Sequence, residues 1–231
     1  MKTKATQWKA TSKRFVAFFD IMGFKDTVER NSHSVVLKKL NKLKLALQII
    51  EDMNTDNDFN NAFKVSETKS ISFSDSIIIF SKNDTLEDAC KILADSSWLL
   101  GHALKLGIPI KGALSFGQIT ADIDNSLFFG RPIIDAYLLH EQLQMYSAII
   151  DNNCEAKFLS LKIPHPFSET IYSYKVPMKF GKVLHKLIKP ETVNDIKDDI
   201  KNLKKMYAKT SGRPRIYIDN TLEYFDHLLK K

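Results

Sequence analysis

Arg14-Phe-Val-Ala-Phe-Phe-Asp-Ile21, followed by Met22-Gly23-Phe24, is the stretch on which the fold turns. It is apolar almost throughout, rich in strand formers, and ends in one carboxylate, so it reads as a buried central strand with Asp20 at its end. Beyond the break at Met22-Gly23, Val36, Leu40, Leu43, Leu47 and Ile50 recur at three and four residues with lysines between them, which predicts a long helix. The polar run Glu51–Asn61 ends that helix as a loop. Ser70–Phe73 and Ser76–Phe80 are two strand runs with almost nothing between them, a hairpin with Asp75 at or beside its turn. Asp84 or Thr85 caps the next helix, whose apolar face runs through Leu86, Cys90, Leu93, Leu100 and Leu104 and closes at Gly107-Ile-Pro. Ile110–Phe116 is a further strand, Thr120–Ser126 reads as a loop with room for a short hairpin extension, and Pro132 opens a helix through Ile134, Tyr137 and Leu138. Tyr146–Ile150 is the next short strand.

The first six of these elements form a βαββαβ unit, which predicts an α+β fold with a ferredoxin-like or palm-type antiparallel sheet and covering helices. Such helices cover one sheet face, and the other needs a partner, either a second copy or the C-terminal segment. That segment holds a strand at Thr170–Val176, the Lys-rich stretch Lys179–Lys189, a helix from about Glu191 to Ala208, a Ser-Gly-Arg-Pro break and a final helix Leu222–Leu229. Residues 1–13 read as a flexible basic tail, 14–151 as the catalytic domain and 152–231 as a basic extension.

Composition bounds the alternatives. At 231 residues with 44% hydrophobic and 26% charged residues, the chain can build a substantial core and is neither disordered nor collagen-like. No window is apolar enough to span a bilayer, the polar basic start lacks the centre of a signal peptide, and two cysteines make neither a disulfide framework nor a zinc site, so a cytoplasmic protein is expected. The net charge of +7 is uneven: residues 1–150 carry 18 Lys/Arg against 17 Asp/Glu, and residues 151–231 carry 16 against 10. No zinc-finger spacing or aromatic-basic repeat accompanies that charge, so no stable nucleic-acid or membrane partner is expected, whereas an anionic nucleotide would be steered by it.

Two carboxylates carry the chemistry. In a βαββ unit the end of the first strand and the hairpin tip meet at one edge, which brings Asp20 toward Asp75. Two anions about 4 Å apart repel by roughly 4 kcal/mol at an effective dielectric near 20. A buried pair of this kind is offset by a proton, a base or a metal, and magnesium or manganese suits an all-oxygen site that leaves room for phosphate oxygens. Each residue also has a plainer reading, Asp20 as a helix cap and Asp75 as a turn residue. Gly23 lets the backbone turn sharply and offers N–H groups to phosphate, although a glycine between strand and helix is also an ordinary connector. The six histidines show no H-E-x-x-H or other ligand spacing.

Phe19-Asp-Ile-Met-Gly-Phe24, Phe73-Ser-Asp-Ser-Ile-Ile-Ile-Phe80 and Lys111-Gly-Ala-Leu-Ser-Phe-Gly117 resemble successive signatures of class III nucleotidyl cyclases, and Phe129-Gly-Arg-Pro-Ile-Ile-Asp-Ala136 looks like a remnant of a fourth. The resemblance spans about residues 14–151 and implies attack of a ribose 3′-hydroxyl on the α-phosphorus with release of diphosphate. It assigns two Mg2+ or Mn2+ ions to Asp20 and Asp75 with the Ile21 carbonyl, and terminal phosphates to the Met22–Gly23–Phe24 backbone. It also implies a head-to-tail homodimer with sites at the subunit interface. Departures accompany it: Ile71 stands where adenylyl cyclases place a base-reading lysine, Leu127 near the second purine-reading acid, Ile134 at the ribose-orienting Asn and Leu138 at the transition-state Arg. Arg131, Lys111 or Lys69 would have to supply the missing positive charge. Compact cyclases relaxed in this way resemble the pyrimidine (cytidylate/uridylate) cyclases of Pycsar anti-phage defence, in which cCMP or cUMP acts on a separate effector. Tyr137 would then meet the pyrimidine by stacking or through its hydroxyl. The alternatives are a purine cyclase or dinucleotide-forming relative, and a non-catalytic nucleotide sensor or dimeric interaction module.

Overall fold

The computed structural model describes residues 8–52, 66–191, 196–208 and 210–230. Its strands are β1 (Thr11–Ile21), β2 (Thr68–Phe73), β3 (Ser76–Ser81), β4 (Ile110–Asp122), β5 (Leu127–Phe129), β6 (Ala148–Ile150), β7 (Ile171–Met178) and β8 (Gly181–Ile188). Its helices are α1 (Phe24–Arg30), α2 (His33–Asp52), α3 (Leu86–Leu106), α4 (Arg131–Gln142), α5 (Asn152–Leu161), α6 (Ile196–Tyr207) and α7 (Arg215–Leu229). The eight strands make one sheet in the order β2-β3-β1-β4-β6-β8-β7, with β5 folded back on the far end of β4. All pairings are antiparallel except β4 with β6.

Period-two alternation along β1 divides the core. Phe15, Ala17, Phe19 and Ile21 face α2, α3 and α5, packing with Leu43, Leu47, Leu93, Leu100 and Phe158. Phe18 faces the other way, where Ala113, Ile149 and Leu187 continue the sheet surface beneath Ala136 of α4 and Tyr217, Ile218, Tyr224 and Phe225 of α7. The C-terminal segment thus covers part of the second face: β7 and β8 extend the same sheet, and α7 lies across it. The outer side of α4 stays open, with Ile134, Tyr137 and Leu138 exposed.

Several local expectations are corrected. The long helix read from Val36 to Ile50 is α2, and a short helix not expected from the sequence, α1, precedes it and ends where Asn31 takes an extended conformation. β1 begins at Thr11, inside the stretch read as a tail, since Thr11, Ser12 and Lys13 pair with β4. The Thr120–Ser126 loop is mostly strand and turn: Ile119 and Ala121 are buried in alternation, which carries β4 to Asp122 before β5 returns. Lys179–Lys189 holds β8, whose only buried residues are Leu187 and Ile188 at its end. α7 starts seven residues before Leu222, because Gly212 takes φ 68 and Pro214 pre-sets the first turn. The Glu51–Asn61 loop falls almost wholly outside the described residues. Of the two cap candidates for α3 it is Thr85 whose side chain accepts from the Asp88 N–H, while the Asp88 carboxylate accepts from the Thr85 N–H. No described helix is long and apolar enough to cross a membrane.

Candidate active site

Asp20 is the penultimate residue of β1, and the sheet gives it two cross-strand partners: Ser76 on β3 and Lys111 on β4. Directly paired residues share a face, with Cβ atoms about 5 Å apart. Phe73, Ser76, Asp20 and Lys111 therefore form one row across four strands, on the face that carries Phe18. Asp75 enters from the hairpin tip. Ser74 takes φ 57, the left-handed conformation that a two-residue turn requires at its first central position. The Asp75 carbonyl then accepts a 2.9 Å hydrogen bond from the Ile21 N–H, which ties the tip to the end of β1.

The electrostatics follow from this crowding. Burial pushes the Asp20 carboxyl up to about 6; the Asp75 charge adds to the rise, Lys111 opposes it and Glu141 reinforces it. Lys111 is buried, and burial pushes its ammonium down to about 8, with Asp20 opposing and Lys179 adding. Its Nζ donates to the Leu143 carbonyl at 3.2 Å and stands 5.4 Å from the centre of the Tyr217 ring. His140 beside it is driven down to about 4 by burial and then by Lys111, so the imidazole is neutral near pH 7. The result is a half-shielded cluster of carboxylate and hydroxyl oxygens from Asp20, Asp75 and Ser76 with Lys111 beside it, a donor set that could take a divalent metal and phosphate.

The remaining candidates divide by position. The Ile21 and Met22 N–H groups are engaged, by the Asp75 and Pro109 carbonyls. Gly23 adopts φ 68 at the start of α1, where an L side chain would be strained, and its carbonyl accepts from the Thr27 N–H at 3.0 Å. Phe24 packs against the first core. Lys69 lies on the Asp20 face but four residues up β2 from the tip, 3.1 Å from Glu67. Tyr137 stands edge-on to Phe18 at 5.6 Å. Arg131 is exposed at the first turn of α4 and paired with Asp135 at 2.6 Å. Its neighbour Pro132 packs at Gly117, which pairs with Arg14, six residues up β1 from Asp20 and roughly 20 Å along the strand. Within one chain the fold therefore does not bring Arg131 to Asp20.

Ser76, Glu141, Lys179, Arg213 and Tyr217 belong to the neighbourhood and went unread as site residues. Ser76 follows from hairpin register once Asp75 is fixed at the turn. For Tyr217, nearly two hundred residues from Asp20, no local sequence signal exists.

No family model matches the chain, and no curated protein matches it in sequence. Solved structures do match. The catalytic core of a rhodopsin-guanylyl cyclase with converted specificity, in complex with ATPαS, superimposes with a TM-score of 0.55 at 15% identity, covering 79% of this chain and 98% of that one. The guanylate cyclase domain of RhGC from Catenaria anguillulae, in complex with GTP, gives 0.50 at 15% identity over 78% and 97%. A class III adenylyl cyclase-like ATP-binding protein from Pseudomonas aeruginosa gives 0.51 at 11% identity, covering 99% of this chain and 47% of that one. The chain therefore has the fold of the class III nucleotidyl cyclase catalytic domain.

Proposed function

We propose that the chain is a pyrimidine nucleotidyl cyclase, a phosphorus–oxygen lyase that converts CTP or UTP into the 3′,5′-cyclic monophosphate and diphosphate. The observation that carries this reading is the meeting of Asp20 and Asp75, with Lys111 beside them, at the end of the central strand of a class III cyclase fold.

Magnesium or manganese fits the donor set. Two carboxylates share one neighbourhood, and burial, with the Asp75 charge adding to it, pushes the Asp20 carboxyl up to about 6. Among the described residues no group of three or more His, Cys, Asp or Glu converges; a Mg2+ ion held through one or two carboxylates takes its other ligands from water and substrate phosphates. Asp20, Asp75 and the Ile21 carbonyl would hold the ions. Two such ions supply Lewis acidity at the α-phosphorus and neutralise the departing diphosphate.

The chain's own groups do the rest. Lys111 reaches the triphosphate from the floor of the site, and the Gly23–Phe24 backbone receives its terminal oxygens. The ribose 3′-oxygen forms the new bond to the α-phosphorus, the bond from that phosphorus to the β-phosphate bridge breaks, and the hydroxyl proton passes to solvent. Ile71 and Leu127 present apolar surface where a purine would need polar groups, which supports a pyrimidine, with Tyr137 available to it. Arg131 acts on the site of a second copy: the exposed stripe Ile134, Tyr137 and Leu138 on α4, with Leu127 and Phe129 on β5, is the surface a homodimer would cover. The cyclic product would act as a messenger on a separate effector in antiviral defence.

A second reading, a nucleotide-binding sensor, is supported by the likeness of 99% of the chain to the Pseudomonas aeruginosa protein described as ATP-binding. Incubation with each of ATP, GTP, CTP and UTP plus Mn2+, followed by mass-resolved product detection, separates the two. Cyclic CMP or cyclic UMP with diphosphate is expected. Tight binding without diphosphate release would favour the sensor.

A further inference from the structure

The C-terminal helix ends its docking surface at the candidate site. One stripe of α7 faces the sheet: Tyr217, Thr221, Tyr224 and Phe225 are all buried. Thr221 Oγ1 accepts from the Tyr146 N–H at 2.9 Å, and Asn220 Nδ2 donates to the Gln144 carbonyl at 2.7 Å. This locks the helix to the 143–147 segment, whose Leu143 carbonyl also receives Lys111. The Tyr217 ring stacks on Tyr146 with centroids 6.1 Å apart and underlies Lys111 Nζ at 5.4 Å.

Extended one turn toward its start, the stripe reaches Arg213. The Ile216 and Tyr217 N–H groups donate to the Arg213 and Pro214 carbonyls, so the chain already turns there and Arg213 lies about one turn ahead of Tyr217. Arg213 is the exposed head of an otherwise buried stripe, and no hydrogen bond or ion pair of its guanidinium is found among the described residues. Its charge and that of Asp20 both act on the Tyr217 hydroxyl, so both lie within electrostatic reach of that side chain. The other four arginines have partners in the chain: Arg14 donates to the Ser81 carbonyl, Arg30 pairs with Asp26, Arg131 pairs with Asp135, and Arg215 donates to the Thr210 carbonyl while lying over Tyr207. A triphosphate held at Asp20 and Asp75 exposes several anionic oxygens, and a free guanidinium fork is the group best shaped to take two of them.

We infer that Arg213, carried by the start of α7, is a triphosphate-binding residue supplied by the same chain that holds Asp20. The assignment rests on the nucleotidyl cyclase reading for its substrate and on helix geometry for its residue. It gives the basic extension a part in the site rather than in cover alone.

Arg213→Ala and Arg213→Lys, made in the full chain, test it in two arms. The first is calorimetric titration with tripolyphosphate in EDTA at low salt, which needs neither metal nor turnover. Arg213→Ala should bind about tenfold more weakly than wild type, with Arg213→Lys between them. The second is diphosphate release with CTP and UTP plus Mn2+, where Arg213→Ala should fall about tenfold or more and recover in part with added guanidinium ion. Because Arg213 is exposed, both variants should melt within about 1–2 °C of wild type. Wild-type affinity for tripolyphosphate in Arg213→Ala, or no binding by wild type, overturns the inference. A wild-type protein that binds tripolyphosphate through Arg213 but forms no cyclic product overturns the cyclase reading and leaves the anion site standing.

Discussion

Asp20→Asn should make the metal-free protein more stable while abolishing turnover. Burial and the Asp75 charge push the Asp20 carboxyl from 3.8 up to about 6, so the native state holds that proton more tightly than the unfolded chain does. The sign follows: the associated stability is fully present below pH 4 and is lost as the pH rises through 6, leaving the ionised native form penalised at neutrality. Each tenfold change in proton affinity corresponds to about 1.4 kcal/mol, so the penalty is about 3 kcal/mol before screening and about 2 kcal/mol after solvent screening of a half-shielded group. For a chain of this length 1 kcal/mol moves the midpoint by about 2–4 °C, which predicts a rise of about 4–8 °C for Asp20→Asn at pH 7.5 in EDTA. Scanning calorimetry across pH is the assay, and the difference from wild type should close toward zero near pH 4. Added Mn2+ should raise the wild-type midpoint and leave the variant unmoved. An Asp20→Asn protein that melts below wild type at pH 7.5, or whose difference does not change with pH, refutes the reasoning.

Three further outcomes follow from named contacts. If the sites form between copies, mixing inactive Asp20→Asn with inactive Arg131→Ala should restore about a quarter of wild-type turnover, since half the dimers are mixed and each holds one native site; no recovery after confirmed exchange removes Arg131 from the site. Lys91 is buried in an ion pair with Asp95, which also accepts from Thr68 at 2.7 Å, so Lys91→Met strands a buried carboxylate and should cost about 3–5 kcal/mol in urea unfolding, most of it recovered by adding Asp95→Leu. Phe225 is wholly buried in the second core, and Phe225→Ala should cost about 3–5 kcal/mol; a loss below 1 kcal/mol would mean that α7 does not hold that face.

What could be read in advance was what local patterns encode. The apolar run ending at Asp20, the hairpin spacing around Asp75 and the Pro132 helix start each reflect a constraint acting over a few residues, and the sheet follows from their order. The C-terminal segment resisted because its strand β8 buries only two residues, so its alternation is masked by lysines, and because α7 begins where a proline, not an apolar period, sets the turn. The candidate site was legible as Asp20, Asp75 and a candidate cation, Lys111. Asp20 and Asp75 come together through strand order and Lys111 joins them with Ser76 by register, whereas Tyr217 enters by the packing of a helix whose docking no short-range pattern records, as does the proposed Arg213. Arg131 shows the reverse case: adjacency to a recognisable motif put it among the site residues, while the length of β4 holds it at the other end of the sheet from Asp20 in its own chain.

Manganese binding followed by electron paramagnetic resonance, in the presence of a non-reactive CTP or UTP analogue, tests the shared role of the two aspartates most directly. The wild-type protein should quench the free Mn2+ signal at stoichiometric concentrations, and Asp20→Asn and Asp75→Asn should each lose that binding while remaining folded. Undiminished Mn2+ binding in either variant would contradict the account.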